Sequence, residues 1–450
     1  ARVYILDQAA RLGLETVEDS VGNIVVRKPA RPGRENAIPA ALQGHLDMVC
    51  EKNEDTVHNF DTDPIQLVRD GDWLKAAGTT LGADNGVGAA AALAIMESTS
   101  INHGPLEFVF TIDEETGLTG ANEFPNGLLR SHYFLNLDGE EENTLCIGCA
   151  GGLTSIATRQ FSLIPAPAGA ALRLRVSGLH GGHSGIGIHK GRGNAIRILG
   201  RVLASAIPQL AISVASLEGG SKRNAIPREA SAIIVIDPAR AAELHTLLAA
   251  AQSEIQAELG AFDPGLRLCA ETAAAPAQVF EPASASLIAQ LLSTLHHGVL
   301  AMSPDVAGLV QTSTNLATIS TLSGRVEIAT TQRSAILSSK LDAAAMVSAV
   351  LRFAGFDVRQ SGAYPGWKPE PHSDIVRQCQ AVHEEILGVK PELVAMHAGL
   401  ECGVIGEKHP GMQLISFGPH IVDVHSPSER LKLSSVPPFW AFLSGLIERL

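Results

Sequence analysis

Short apolar runs that end in a histidine or a carboxylate constrain this chain more than any other feature. Residues 38–44 lead into His45 and Asp47, residues 105–112 into Glu114 and Glu115, and residues 133–137 into Asp138. Apolar runs of this length, bounded by turn formers, read as strands. In open α/β sheets the carboxyl ends of the strands form the edge where ligands bind. The same pattern therefore predicts both a fold class and the place where chemistry collects.

The chain has 450 residues, more than a typical single core holds, so two or more domains are expected. It is 45% apolar and 18% charged, which suits a soluble chain with sizeable cores. No apolar run reaches the ~18 residues that would suggest a membrane span. A net charge of −13 with no long basic run argues against a nucleic-acid surface. Cys50, Cys146, Cys149, Cys269, Cys379 and Cys402 are too few and too scattered for a disulfide framework. Cys146 and Cys149 form a C-x-x-C without the second pair that a zinc site of that type needs. They read as reduced structural thiols, which points to the cytoplasm. The chain opens on Ala1 with no signal-peptide pattern after it, so a missing or removed leading segment stays open.

Strands around 20–28, 38–44, 105–112 and 133–137 alternate with an Ala-rich helix at about 87–98, which predicts an α/β fold. The Pro/Ala/Gly stretch near 164–170 and the turn-rich stretch at 363–369 mark two boundaries. Between them lie two weakly similar passages of strands and a helix. After them come a helix at 373–386, a strand at 412–417 and a final helix at about 436–450. The expected architecture is a mixed-sheet catalytic domain with helices on both faces (1–163 and 366–450). An α+β lid domain (164–365), built from two similar units, interrupts it.

Five passages carry candidate chemistry, and each has an ordinary alternative. His45 and Asp47 lie two apart, so they share a side of their strand; alone, the pair is a common loop motif. Asp84 sits in a Gly-rich turn, Gly82 to Gly88, placed either to bridge two cations or to cap the helix that follows. Glu114 and Glu115 are costly to bring together without a cation or a shared proton, unless they form a solvated acidic loop. Asp138 precedes Gly139 and suits a turn. His425 begins a turn before the last helix and reads equally as a surface group. Together, two histidines and three carboxylates suffice for two cations that share Asp84. Such mixed nitrogen and oxygen donors favour Zn²⁺, with Mn²⁺ or Co²⁺ as substitutes.

These passages resemble the two-metal metallopeptidases that include the aminoacyl-histidine dipeptidases. The resemblance runs over most of the chain. It is strongest in QGHLDMVCEKN, AAGTTLGADNGVG, FTIDEETGLTGA, NLDGEEEN with CIGCAGG, GLHGGHSGIGIHKGRGNA, and MHAGLECGVIGEKHPGMQLISFGPHIVDVHSPSER. It implies that His45, Asp84 and Asp138 hold one metal, and that Asp84, Glu115 and His425 hold the other. Glu114 is then the general base acting on a water that bridges the two ions, and Asp47 supports His45. A cis peptide at Asp84–Asn85 is also implied, and so is a further N-terminal stretch ahead of Ala1. In the lid, His183 matches a histidine that approaches the scissile carbonyl. Asn224 and Arg333 match groups that bind the substrate's carboxyl end, and an Arg fork suits a carboxylate. Glu401 is the candidate for a free amino group.

The expected activity is hydrolysis of small peptides, with aminoacyl-histidine dipeptides favoured. A tripeptidase, carboxypeptidase or N-acyl-amino-acid deacylase would share the metal set. A non-catalytic metal-binding regulator on the same fold would have lost a ligand or Glu114, and neither is missing. The expected partners are a small peptide substrate and, as an assembly, a homodimer in which His183 acts within or across subunits.

Overall fold

The computed structural model describes residues 1–450. The chain forms two compact units, one of residues 1–149, 367–396 and 400–450, the other of residues 150–366 and 397–399. No helix is long and apolar enough to cross a membrane.

The first unit is built on an eight-stranded mixed sheet. Its centre is formed by Leu106–Thr111, Ala40–His45, Tyr133–Asn136 and Gln413–Ser416, paired in parallel in that order. In the first three of these strands every residue is buried, as strands covered on both faces require. That is why they appear in the sequence as continuous apolar runs. Because the four strands run parallel, their carboxyl ends lie at one edge, and the chain leaves that edge at His45, Thr111, Asn136 and Ser416. Ile24–Lys28 and Thr144–Cys149 flank this centre, and the edge strands are Glu15–Glu18 and Glu392–Met396.

Few polar groups enter this sheet, and they are joined by hydrogen bonds, although Asn136 Oδ1 has no partner. Asn136 Nδ2 donates to Gln43 Oε1 at 2.6 Å, and Gln43 Nε2 donates to Thr111 Oγ1 at 3.0 Å and to Glu401. Thr111 Oγ1 donates to Glu401 Oε2 at 2.8 Å. This ladder crosses three neighbouring strands and ends on the helix Glu401–Lys408.

The helix Ala83–Glu97 packs on Ala40–His45 through small residues. Gly88 shows why they are small. A Cβ there would lie 2.0 Å from Asn85 Oδ1 and 2.5 Å from the Leu137 carbonyl. A second, four-stranded sheet joins Ile421–Val422, Arg430–Lys432, Trp73–Ala76 and Leu67–Asp70. The helices Asp374–Leu387 and Val436–Arg449 pack on each other.

The second unit centres on a nine-stranded antiparallel sheet. Helices Ala195–Leu210, Ala241–Leu259, Pro282–Thr294 and Leu337–Phe353 accompany it. The two similar passages expected between 164 and 365 share this one sheet, joining where Gly219 pairs with Ile319, and they share one apolar core. The strand Gly151–Gln160 also belongs here, paired with Arg325–Ser334 and Asp357–Tyr364. The Pro/Ala stretch at 164–170, expected as the boundary, thus connects strands inside the second unit. The passage between units, at residues 149–150, runs almost from strand to strand, so no turn-rich composition marks it.

Candidate metal centre

Six side chains converge at the carboxyl edge of the parallel strands. Ligand atoms of His45, Asp84 and Asp138 lie within 4.8 Å of one another, and so do those of Asp84, Glu115 and His425. His45, Glu114 and Glu115 form a third such group. Asp84 is shared by the first two, one oxygen to each side. Its Oδ1 is 3.1 Å from His45 Nε2, and its Oδ2 is 3.2 Å from His425 Nε2.

The local backbone explains these positions. His45 ends its strand, and its Nδ1–H donates to the Asp47 carbonyl at 3.0 Å. That bond fixes the tautomer and leaves the Nε2 lone pair facing inward. Asp47 supports the site mainly in another way. Its two carboxylate oxygens accept from Glu114 N and Glu115 N, each at 3.1 Å, while its nearest approach to the His45 ring is 3.6 Å. The strand Leu106–Thr111 turns through Asp113, which has a left-handed φ of 51°, to present the two glutamates. Asn85 Nδ2 donates to Asp138, and the Asp84–Asn85 peptide is cis. His425, at φ 62°, stands in the turn between Ile421–Val422 and Arg430–Lys432.

This donor set lacks positive charge. The His45 lone pair faces Asp84 Oδ1 and, at 3.3 Å, Asp138 Oδ1. His425 Nε2 faces Asp84 and, at 3.0 Å, Glu115 Oε2, while buried Glu115 Oε1 has no partner. Acceptors arranged this way need a cation between them, either protons or metal ions. Protons respond accordingly. Burial disfavours a charged His45, yet Asp138, Asp47 and Asp84 outweigh it and the net shift is upward. Hydrogen bonds to Asp84 and Glu115 push His425 up to about 10. Burial, then the charges of Asp138 and Glu401, push Glu114 up to about 9. Burial and neighbouring carboxylates likewise push Glu140 up to about 7. Burial also raises Asp138, whereas the two histidines hold Asp84 down despite burial. Mixed imidazole and carboxylate donors with excess negative charge fit two divalent ions of the Zn²⁺, Mn²⁺ or Co²⁺ type.

A pH dependence follows for metal-free protein. His425 and Glu114 hold protons more tightly folded than unfolded. The stabilisation is present below their ordinary values of 6.5 and 4.5 and is lost as pH rises through about 10 and about 9. Thermal denaturation in chelator should therefore show a midpoint a few degrees lower at pH 9 than at pH 6. Excess divalent metal should flatten that difference, because the ions replace the protons. A chelated protein equally stable at both pH values would contradict this charge distribution.

Glu401 is wholly buried. One of its oxygens accepts from Gln43 and Thr111, so only Oε1, which has no partner, is free for an amino group. Burial pushes it up to about 7.

The remaining expected residues lie in the second unit. His183 pairs with Ala225 in a two-residue ladder, and its Nδ1 accepts from Gly185 N at 3.3 Å and Ile186 N at 3.1 Å. The ring is thereby held as the Nε2–H tautomer, a neutral donor. Burial and the Arg333 charge lower it to about 4. Arg333 is 8% exposed, donates from Nη1 to Tyr364 Oη at 2.7 Å and leaves Nε without a partner. Asn224 is exposed, and its carbonyl accepts from Ser184 N at 2.8 Å.

Sequence reasoning missed two groups. His397 is buried, with Nε2 at 2.7 Å from Ser313 Oγ and Nδ1 without a partner. It lies so close to the His183 turn that a Cβ on Gly185 would meet the His397 carbonyl at 2.0 Å. The other is Glu429, whose buried carboxylate accepts from Leu81 N, Gly82 N, Ala83 N and Asp84 N. The only sequence signal for either is its place in the MHAGLECG and HSPSER segments, beside residues already singled out.

The chain is similar to known proteins along nearly its whole length. The model for peptidase family M20/M25/M40 matches residues 41–449. The chain is 38% identical to the cytosol non-specific dipeptidase of Escherichia coli (strain K12) over 448 residues, 99% of this chain and 92% of that one. The structure superposes on the aminoacylhistidine dipeptidase of Vibrio alginolyticus with a TM-score of 0.91 and 41% identity, covering 100% of this chain and 92% of that one. The aminopeptidase PepT of Bacillus cereus, with a TM-score of 0.55 and 16% identity over 98% of this chain and 90% of that one, shares the fold. By the extent of these matches, this chain belongs to peptidase family M20/M25/M40.

Proposed function

We propose that the chain is a metal-dependent dipeptidase, with aminoacyl-histidine dipeptides as the favoured substrates. The observation that carries this reading is the pair of donor sets that share Asp84, with Glu114 beside them. His45, Asp84 and Asp138 would hold one ion, and Asp84, Glu115 and His425 the other. When bound, two such ions polarise a carbonyl and lower the pKa of water, which is the chemistry amide hydrolysis needs.

The chain's own residues supply the rest. Glu114 takes a proton from the attacking water and returns it to the leaving amine. Asp47 holds the Glu114 and Glu115 amides, which keeps both carboxylates in register. His183, a neutral Nε2–H donor, is assigned to charge that develops on the carbonyl oxygen. Arg333 and Asn224 are assigned to the substrate's carboxyl end, and the unpartnered Arg333 Nε supports the first assignment. Burial pushes the thiols of Cys146 and Cys149 up to about 12 and about 11. Unreactive thiols of this kind support a structural role, and the cytoplasm is the proposed compartment.

The test is hydrolysis of β-alanyl-histidine beside a panel of ordinary dipeptides, their amides and acyl-amino acids. The expected result is preference for His-terminated dipeptides. Carboxyl-amidated substrates should lose affinity in the wild type but far less in Arg333→Ala. Turnover of acyl-amino acids alone would overturn the dipeptidase reading.

A further inference from the structure

Asp84 faces a conflict that the Glu429 contacts resolve. It stands in the turn that opens the helix Ala83–Glu97, where Asp84 (φ −81°, ψ 111°) and Asn85 (φ −104°, ψ 34°) are not helical, so the regular helix begins only after them and its first amides have no partners within the helix. A carboxylate at that position is a natural acceptor for such amides, and the positive end of the helix attracts it. An Asp84 turned to this task could not present one oxygen to His45 and the other to His425. The turn that carries Asp84 is instead held by a carboxylate 348 to 345 residues away in sequence. Glu429 Oε2 accepts from Leu81 N at 2.7 Å and Gly82 N at 3.0 Å, and Oε1 accepts from Ala83 N at 2.8 Å and Asp84 N at 3.4 Å. Glu429 is 2% exposed.

We propose that Glu429 is a positioning residue that holds the Leu81–Asp84 turn and so keeps both Asp84 oxygens aimed to bridge two cations. The inference rests on the metal reading given above. The same short turn carries His425 and Glu429, and Glu429 N donates to the Ser426 carbonyl at 3.0 Å. One segment therefore delivers a ligand to one site and sets the ligand common to both. Because the effect passes through Asp84, loss of Glu429 weakens both ions together, whereas loss of Asp138 weakens chiefly one.

Calorimetric titration of metal-stripped, full-length protein with Zn²⁺ tests this, with wild type, Glu429→Gln, Glu429→Asp and Asp138→Asn side by side. Gln keeps the shape but turns an amide donor toward backbone donors. Asp keeps the charge one methylene short and serves if the Gln variant does not fold. The expected result is two ions per wild-type chain and a roughly 10–100-fold loss of affinity for both in Glu429→Gln, the scale typical of groups that orient ligands. Glu429→Asp should lie between Gln and wild type. Asn194→Ala controls for simple destabilisation. It removes the cap of the helix Ala195–Leu210, where the Asn194 side chain accepts from Ile196 N and Arg197 N, and should leave both affinities unchanged. Two tightly held ions in Glu429→Gln, or a loss confined to one ion, would overturn the inference and leave the metal reading standing. A wild-type protein that binds no divalent ion would overturn both.

Discussion

Glu114→Gln is expected to lower kcat by roughly 10²–10⁴-fold, the usual contribution of a positioned general base. Glutamine matches the shape of Glu114 but cannot carry a proton. Glu114 is well placed for that work. Its amide is pinned by Asp47, and burial, with the charges of Asp138 and Glu401, pushes its carboxyl group up to about 9. Divalent ions beside it would draw that affinity down toward working pH, where a base is most effective. KM and metal content should change little, because Glu114 lies outside the two donor sets assigned to the ions. Steady-state kinetics with metal analysis of the same samples checks this. A variant that keeps full metal and more than a tenth of wild-type kcat would remove Glu114 from the role of base.

Asp84→Asn should have the second large effect. It neutralises the only side chain common to both donor sets, so affinity for both ions should fall by more than about 100-fold, beyond the range for an orienting group. Turnover should fall to background at ordinary metal concentrations. Asp138→Asn should spare the ion assigned to Asp84, Glu115 and His425. Metal counts after dialysis separate the two patterns, and equal retention in both variants would show that Asp84 does not bridge.

Much of the site could be read in the sequence because it lies where parallel strands end. Ala40–His45, Leu106–Thr111 and Tyr133–Asn136 are wholly buried, so their apolar runs stop where the functional groups begin. His45, Glu114, Glu115 and Asp138 inherit their places from that geometry. Glu429 was hidden for the opposite reason. Its partners are backbone amides hundreds of residues earlier, and no side-chain pattern records a contact with a main chain. The role of Asp47 was hidden in the same way, since its oxygens are held by the amides of Glu114 and Glu115. The passage between the two units left no trace either, because one strand leads almost directly into the next at residues 149–151. The Pro/Ala stretch at 164–170 marked only a local turn, which is all that such composition specifies.

The most direct test of the account is a stepwise return of Zn²⁺ to stripped protein, with bound metal and dipeptide hydrolysis measured on the same samples. The account predicts no turnover without metal and full turnover with two ions per chain. It also predicts that Glu114→Gln binds the same two ions and stays inactive. Full hydrolysis in chelator, or an active protein that never binds a second ion, would contradict it.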